Sequence, residues 1–200
     1  ATLRLATNAH IFIRKAEEIL NHKLEVISGE EEARQIYLGV AYTSANQGNS
    51  LVIDIGGGST EFVIGNRSVE HAMSVNIGCV RMTERHFQSD PASEIEIEAA
   101  RHDIQEAIDE AAKYVDLKVA KSLIAVAGTA TTVAAAALEL PQYDRYSIHL
   151  SRISAEKTEA IAKMFLKMSR AERAGLGYMH PGRVDVIAAG SLVLSEIMKA

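Results

Sequence analysis

Apolar and polar residues recur along this chain with two different periods. In residues 9–20 the apolar side chains fall three or four positions apart, the spacing of one helix face. Amphipathic or long apolar segments predict helices at residues 9–20, 30–42, 78–87, 94–115, 128–138, 153–168 and 184–198. Short apolar or alternating runs predict strands at residues 24–27, 51–53, 62–64, 69–77 and 122–127. Early strands followed by helices that alternate with a further strand indicate an α/β fold.

Local features define the ends of these elements. Ser93 and Glu96 form the pattern of a capping box at the start of the helix predicted over 94–115. Turn-forming and polar residues predict loops at 88–91 and 141–150. With 200 residues, 48% hydrophobic and 24% charged, the composition is that of a globular protein of one or two domains.

Three consecutive glycines at 56–58 lie between two acidic residues, Asp54 and Glu61. Glycine adopts positive φ without a Cβ clash, so this segment can turn tightly and direct bare backbone N–H groups at one anion. The apolar runs at 51–53 and 62–64 predict that the turn joins two strands. The sequence therefore predicts a phosphate-binding turn.

The two carboxylates indicate a metal ion beside that phosphate. If Ile55 and Thr60 close the turn, Asp54 and Glu61 become cross-strand neighbours with Cβ atoms roughly 5 Å apart. Two carboxylates would repel a phosphate unless a divalent cation lay between them. Mg²⁺ is the natural candidate, because it binds one or two carboxylates together with phosphate oxygens. The alternative interpretation is a glycine-rich hairpin whose acidic residues simply face solvent.

Two helix starts carry further candidate residues. Residues 128–132 have the sequence Gly-Thr-Ala-Thr-Thr, and the N–H groups of a helix start can bind phosphate, although glycine and threonine also serve as ordinary caps. The acidic triplet at 30–32 lies in the first turn of a predicted helix. A favourable interaction with the helix dipole explains that triplet without any catalytic role.

Charge and cysteine content restrict the class of protein. The net charge of −5 argues against a general nucleic-acid binder, so no nucleic-acid partner is expected. The single cysteine, Cys79, excludes an internal disulfide, fits a reducing cytoplasm, and is interpreted as a buried hydrophobe rather than a reactive thiol. We expect no membrane span, no signal peptide and no zinc site. The chain opens at Ala1 rather than Met, which is compatible with a processed or trimmed protein.

Four separated segments together resemble the exopolyphosphatase and guanosine pentaphosphate phosphatase (Ppx/GppA) family in order and spacing. They are residues 27–34 (Ile-Ser-Gly-Glu-Glu-Glu-Ala-Arg), 52–61 (Val-Ile-Asp-Ile-Gly-Gly-Gly-Ser-Thr-Glu), 127–132 (Ala-Gly-Thr-Ala-Thr-Thr) and 183–190 (Arg-Val-Asp-Val-Ile-Ala-Ala-Gly). The similarity begins at residues 2–4 and runs to the C-terminus. The set is specific, because the four segments recur together.

The resemblance implies a fold and a division into domains. The family belongs to the actin, sugar kinase and heat-shock ATPase superfold, in which two ribonuclease H-like domains enclose a phosphate-binding cleft. Residues 1–25 then resemble the tail of the first domain, and residues 26–200 form the second. The family's other phosphate loop, of the Asp-x-Gly-Ser-Asn-Ser type, belongs to the first domain, and no segment of these 200 residues matches it.

The resemblance also implies roles for individual residues. Glu32, 22 positions ahead of Asp54, corresponds to the catalytic base that takes a proton from the attacking water. Asp54 and Glu61 correspond to the metal-side carboxylates. The expected phosphate-binding residues are Gly56, Gly57, Gly58, Ser59, Thr60, Arg4, Gly128 and Thr129. Arg183 is a further candidate for contact with a polyanion, although such a residue more commonly caps a helix.

The function implied by the resemblance is Mg²⁺-dependent hydrolysis of terminal phosphate from inorganic polyphosphate, guanosine pentaphosphate, or both, in the cytoplasm. A phosphate or nucleotide sensor without turnover is one alternative, and an ATP-dependent sugar or acetate kinase of the same superfold is another. The segment around Glu32 argues against the kinase. A homodimer is compatible with the sequence, which does not fix the number of subunits.

Overall fold

A four-stranded mixed sheet forms the centre of the computed structural model, which describes residues 2–43, 48–66 and 68–200. The strands are β1 (Ser50–Ile55), β2 (Thr60–Asn66), β3 (Ser68–Val75) and β4 (Ser122–Val126). Their order across the sheet is β3-β2-β1-β4. The β1–β2 and β2–β3 pairs are antiparallel, whereas β1 and β4 are parallel. The α/β fold is therefore confirmed, and the glycine turn joins two strands as predicted.

Helices cover both faces of this sheet. The helices are α1 (Thr2–Leu5), α2 (Ala9–Leu20), α3 (Gly29–Thr43), α4 (Cys79–His86), α5 (Glu94–Ala112), α6 (Ala127–Ala137), α7 (Arg145–Ile148), α8 (Ala155–Lys167), α9 (Arg170–Ala174) and α10 (Ile187–Lys199). Short 3₁₀ turns lie at Leu117–Val119 and Pro181–Arg183. The predicted helices are confirmed with small shifts at their ends, and the capping box of Ser93 and Glu96 is present at the start of α5.

The alternation of side chains along each strand divides the core into two parts. Val52 and Val63 point to one face, where they pack with Ala33 and Tyr37 of α3. The adjacent strand residues, including Ile53, point to the other face and join the main core with α5, α6, α8 and α10. Both faces of β1 and β2 are therefore buried, which explains why these strands are near-continuous apolar runs.

The structure corrects two expectations about secondary structure. Residues 24–27 do not form a strand: Leu24 and Val26 are 36% and 40% exposed, and no described strand pairs with them. An alternating sequence alone does not form a strand, because the backbone N–H and C=O groups of a strand need hydrogen-bond partners in a neighbouring strand. The loop predicted at 141–150 contains the short helix α7.

The short helix α9 was not predicted, although Ser169 and Glu172 form a capping box at its start. Across the described ranges, no helix has both the length and the apolar content needed to cross a membrane. The proposed division of the chain at residue 25 stays a prediction.

Candidate functional site

A row of paired residues crosses the sheet at the end of β1. Asp54 pairs with Glu61 of β2 and with Val126 of β4, and Glu61 pairs with Ser74 of β3. Directly opposite residues in neighbouring strands project to the same face, so the Asp54, Glu61 and Ser74 side chains lie side by side. The predicted cross-strand pairing of Asp54 and Glu61 is confirmed. Because Val52 and Val63 lie two positions away on the same face, this is the face that α3 covers.

The carbonyl groups of the glycine turn are anchored to the first turn of α4. The Cys79 N–H donates to the Gly56 carbonyl at 2.9 Å. The Val80 and Arg81 N–H groups both donate to the Gly57 carbonyl at 3.0 Å. The first N–H groups of a helix have no partner inside the helix, so α4 supplies these donors without losing any internal hydrogen bond. The carbonyls of the turn therefore face α4.

The backbone N–H groups of the turn differ from its carbonyls, because three of them have no partner in the described part of the chain. Arg81 Nε donates to the Gly58 carbonyl at 2.7 Å, and the Gly56 N–H donates to the Ser59 carbonyl at 3.0 Å. Within the described part of the chain, the backbone N–H groups of Gly57, Gly58 and Ser59 have no hydrogen-bond acceptor. Consecutive unpaired N–H groups form a concave site for an anion. The turn has this property because α4 and Arg81 hold its carbonyls on the other side.

Close packing, rather than an unusual backbone conformation, requires a glycine beside this turn. We expected positive φ in the turn, but among the described glycines only Gly48 has it. The close approach comes instead from Gly78, just before α4. A Cβ added there would lie 2.3 Å from the Gly57 carbonyl oxygen and 2.5 Å from the Gly58 nitrogen. The turn and α4 fit together only without that carbon.

Glu61 is a buried carboxylate held in a fixed orientation. Its side chain is 2% exposed, and Oε1 accepts hydrogen bonds from the Ser59 hydroxyl at 2.7 Å and the Ser74 hydroxyl at 2.8 Å. Oε2 has no hydrogen-bond donor among the described residues. One oxygen of Glu61 is therefore oriented by the protein, and the other remains available to a cation or a water.

The hydroxyls of two predicted phosphate-binding residues, Ser59 and Thr60, form hydrogen bonds within the protein. The Ser59 hydroxyl donates to Glu61, as described above. Thr60 is 0% exposed, and its hydroxyl donates to the Ile77 carbonyl at 3.0 Å on the opposite face of the sheet from Glu61. Among the described residues of this turn, backbone N–H groups rather than these hydroxyls remain unpaired, and the phosphate-binding role of Ser59 and Thr60 stays a prediction.

The first turn of α3 brings Glu32 close enough to the carboxylate row for its charge to raise the pKa of Asp54. Gly29 lies against Ser74, since a Cβ added to Gly29 would be 3.1 Å from Ser74 Cβ. Arg4 Nη1 donates to Glu32 Oε2 at 2.7 Å and to the Ile27 carbonyl at 3.2 Å. Two predicted site residues from distant parts of the sequence, Arg4 and Glu32, therefore form an ion pair beside the row.

Negative charge is concentrated at this point. The pKa of Asp54 is raised from 3.8 to about 6, mainly by burial and then by the charges of Glu61 and Glu32. The positive charge of Arg183 opposes this rise. A cation bound near Asp54 would favour the ionised carboxylate, so the site is suited to hold one.

Arg183 closes the opposite side of the site, next to the start of α6. A Cβ added to Gly128 would lie 1.8 Å from Arg183 Nη2 and 2.0 Å from its Cζ, so the guanidinium rests directly on the glycine. Ala127, between β4 and α6, has a φ of 65°, which places the chain in the left-handed region just before this contact. The Gly128 carbonyl accepts the Thr132 hydroxyl at 2.7 Å. Contact of Arg183 with a polyanion stays a prediction.

Thr129 does not offer its hydroxyl to the same region. The residue is 1% exposed, and its Oγ1 lies towards Gly190 and Cys79 in the interior. This Oγ1 has no oxygen or nitrogen partner in the described chain, and the Cys79 thiol is its polar neighbour. The phosphate-binding role of Thr129 stays a prediction. Burial raises the pKa of the Cys79 thiol, which agrees with its interpretation as a buried hydrophobe.

Mg²⁺ stays a prediction, and the carboxylates present at the site would fit it. No group of three or more His, Cys, Asp or Glu side chains in the described residues could hold one ion. Asp54 and the unpaired Oε2 of Glu61 could serve as two carboxylate ligands. Mg²⁺ commonly binds one or two carboxylates and completes its shell with water and phosphate oxygens, so two are sufficient.

Two residues of this site, Ser74 and Arg81, were not identified from the sequence. Ser74 lies in the predicted strand 69–77, and its strand pairing with Glu61 is the feature that would have revealed it. Arg81 follows the turn of Gly78 at the start of α4, but nothing in the sequence indicates that its side chain folds back onto Gly58.

Comparison with known proteins identifies the family of this chain. The family model described as "Ppx/GppA phosphatase family" matches residues 1–200. A protein named exopolyphosphatase 2 of Mycobacterium tuberculosis is 37% identical over 202 residues, covering 98% of this chain and 63% of the relative. A protein named guanosine-5'-triphosphate,3'-diphosphate pyrophosphatase of Pseudoalteromonas atlantica is 67% identical over 101 residues, covering 50% of this chain and 20% of the relative.

Solved structures show the same fold. An exopolyphosphatase-like protein superposes with a TM-score of 0.93 at 41% identity, covering 98% of this chain and 64% of the other. An Aquifex aeolicus PPX-GPPA enzyme gives 0.85 at 29% identity, covering 100% and 66%. The expected ribonuclease H-like fold of the actin, sugar kinase and heat-shock ATPase superfold is confirmed. The chain spans 63% of the length of the Mycobacterium relative.

Proposed function

Because the chain belongs to the Ppx/GppA phosphatase family, we propose that its protein hydrolyses the terminal phosphoanhydride bond of inorganic polyphosphate, guanosine pentaphosphate, or both. One observation supports this proposal above the others. The unpaired N–H groups of Gly57, Gly58 and Ser59 follow Asp54 in the same turn that leads to Glu61, and the charge of Glu32 acts on Asp54. A phosphate, a cation and a water can meet there.

The terminal phosphate would bind at the glycine turn. The N–H groups of Gly57, Gly58 and Ser59 would donate to its oxygens. The Arg183 guanidinium, held next to Gly128, would balance its charge from the other side. Asp54 and Glu61 Oε2 would hold Mg²⁺, which supplies charge neutralisation for phosphate oxygens when bound. These contacts fix the phosphorus for attack and stabilise the charge on the transferring group.

Glu32 would act as the base for the attacking water. As the water oxygen forms its bond to phosphorus, the water proton passes to the Glu32 carboxylate. The bridging P–O bond breaks, and the shortened polyphosphate or guanosine tetraphosphate leaves with the electron pair. Arg4 holds Oε2 of Glu32 at 2.7 Å and so fixes the direction of this carboxylate.

The same ion pair is the observation that favours a second candidate function. Because Arg4 already occupies Oε2 of Glu32, that oxygen is less available to an attacking water, which suits a protein that binds phosphate without turnover. The two functions give different results with the full-length gene product and Mg²⁺. The hydrolase releases inorganic phosphate from polyphosphate, whereas the sensor binds polyphosphate but releases none.

Substitution of Glu32 by Gln tests its assigned role. The amide keeps the size of the side chain but cannot accept the proton, so phosphate release should fall by about 10²-fold or more. Glu30→Gln is the matched control, because Glu30 is also in the first turn of α3 but is exposed. Equal losses in both variants, or a loss below about tenfold for Glu32→Gln, would remove Glu32 from the mechanism.

A cytoplasmic location and a homodimer stay predictions.

A further inference from the structure

A second, buried arginine holds the turn that carries Arg183. Arg173 lies in α9 and is 7% exposed, and its Nε donates to the Val184 carbonyl at 3.0 Å. Val184 directly follows Arg183, and its own side chain is 4% exposed in the main core. We call this Nε hydrogen bond the Arg173 tether. It fixes the backbone one residue away from the guanidinium that faces the phosphate site.

The Arg173 guanidinium is itself immobilised by the rest of the fold. Nη1 donates to the carbonyls of Met168 at 2.8 Å and Phe165 at 3.3 Å, at the end of α8. Nη2 donates to Asp90 Oδ1 at 3.2 Å. Only the planar, five-donor guanidinium can reach all of these acceptors at once, because a lysine ammonium is a single point with three donors.

Other contacts of the turn are local or exposed. The Arg183 N–H donates to the His180 carbonyl at 2.8 Å, within the 3₁₀ turn. Arg170 Nε pairs with Asp185 at 2.6 Å, but both side chains are more than half exposed. Exposed ion pairs contribute little to conformational stability. The Arg173 tether is therefore the buried polar contact that links this turn to α8 and α9.

We propose that Arg173 is a positioning residue for Arg183: its tether to Val184 keeps the Arg183 guanidinium on Gly128 and within reach of the phosphate. This inference rests on the proposed function, in which Arg183 balances the charge of the bound phosphate. Arg173 does not touch substrate. It acts entirely through the backbone of the turn.

Loss of the tether should move the turn rather than unfold the chain. A cavity of about 230 Å³ lies beside it, with Asp90, Arg173 and Asp185 among the lining residues. Water in this space can solvate the Val184 carbonyl once the guanidinium is removed. A misplacement of about 1 Å can reduce catalysis by about 10²-fold, so Arg173→Lys should lower kcat/KM by about 10-fold to 100-fold.

A double-mutant cycle in the full-length gene product distinguishes positioning from general destabilisation. The variants are Arg173→Lys, Arg183→Met and the double variant, assayed for phosphate release from polyphosphate at a temperature where circular dichroism shows all of them folded. If Arg173 acts through Arg183, its substitution should change kcat/KM by less than about twofold when Arg183 is already absent, because coupled residues are non-additive. Equal losses in both backgrounds would overturn the proposal.

Arg101→Met is the matched control. Arg101 also makes a partly buried contact, with Glu196 of α10 at 3.2 Å, but at the end of that helix far from Arg183. Its substitution should leave kcat/KM within about threefold at equal folded fraction, since it touches no part of the Arg183 turn. A loss equal to that of Arg173→Lys would contradict the proposal.

A second measurement does not depend on catalysis. The NMR heteronuclear NOE of the Arg183 Nε–H group should show restricted motion in the wild type and increased motion in Arg173→Lys. An unchanged NOE overturns the proposal, whereas absence of phosphate release from the wild type overturns the proposed function alone. If Arg173→Lys does not fold, Asp90→Asn serves instead. Asp90 is about half exposed, so the variant should fold and show a smaller change in the same direction.

Discussion

Gly78→Ala is the most informative single substitution for the glycine turn. Gly78 has φ −75° and ψ 158°, a conformation that alanine also adopts, so the change introduces no backbone strain. Its added Cβ would instead meet the Gly57 carbonyl oxygen at 2.3 Å and the Gly58 nitrogen at 2.5 Å. Both atoms are backbone, and neither can rotate away. The substitution should therefore push the phosphate-binding turn away from α4.

The size of the effect follows from these distances. Because non-bonded contacts to carbon are favourable near about 3.5–4.0 Å, the turn must move by about 1 Å. A displacement of that size should lower kcat/KM by about 10²-fold. Overpacking should cost about 1–3 kcal/mol of unfolding free energy. For a chain of this length, each kcal/mol lowers Tm by about 2–4 °C.

Phosphate release from polyphosphate and thermal unfolding by circular dichroism measure the two effects separately. Gly175→Ala is the matched control, since Gly175 also has negative φ and a Cβ there would have its nearest contact at 3.4 Å. Its activity should stay within about threefold of the wild type. If Gly78→Ala retains wild-type kcat/KM, then the close approach of α4 does not shape the phosphate site, and the reasoning is refuted.

Two further predictions concern the carboxylate row. The folded-state pKa of Asp54 is raised to about 6, so its contribution to stability is present below pH 3.8 and is lost as pH rises through about 6. In metal-free protein, Asp54→Asn should raise the free energy of unfolding, measured with urea, by up to about 3 kcal/mol at pH 7 and leave it unchanged near pH 3. Equal effects at both pH values would contradict the raised pKa of Asp54. Ser74→Ala removes one of the two hydrogen bonds that orient Glu61 and should lower kcat/KM about tenfold. Ser122→Ala removes a serine hydrogen bond at the opposite edge of the sheet and should leave kcat/KM unchanged. Equal losses of kcat/KM in the two variants would assign Ser74 a purely structural role.

The glycine turn and its carboxylates could be predicted from the sequence because they depend on local information. Asp54 and Glu61 flank a turn of fixed length, and strand alternation then places them opposite each other. The helix over 30–42 could be placed on the same face only by assuming that its apolar side packs on Val52 and Val63. That assumption agrees with the structure.

The contact of Ser74 with Glu61 could not be predicted from hairpin geometry. A regular pairing that starts at Asn66 and Ser68 would place Met73 opposite Glu61. A β-bulge between Ile64 and Gly65 shifts the register by one residue and brings Ser74 there instead. A shift of one residue moves every side chain to the other face, so a single irregularity decides which residue orients the carboxylate.

The partner that each side chain contacts also depends on the tertiary structure. Thr60 matched the expected phosphate-binding pattern, yet its hydroxyl is used to hold the Ile77 carbonyl. Arg4 and Glu32 lie 28 residues apart, and only the packing of α3 against the sheet brings them together. Likewise Arg183 reaches Gly128 from a turn 55 residues later in the chain. Sequence patterns identify such residues as candidates but do not specify which atoms they contact.

The central claim is that the backbone N–H groups of the glycine turn hold the terminal phosphate beside Asp54 and Glu61. A crystal structure of the full-length Glu32→Gln variant with Mg²⁺ and tripolyphosphate tests it directly, because slow turnover preserves the ligand. We predict terminal phosphate oxygens about 2.7–3.2 Å from the nitrogens of Gly57, Gly58 and Ser59. A terminal phosphate bound away from these three N–H groups would contradict the account.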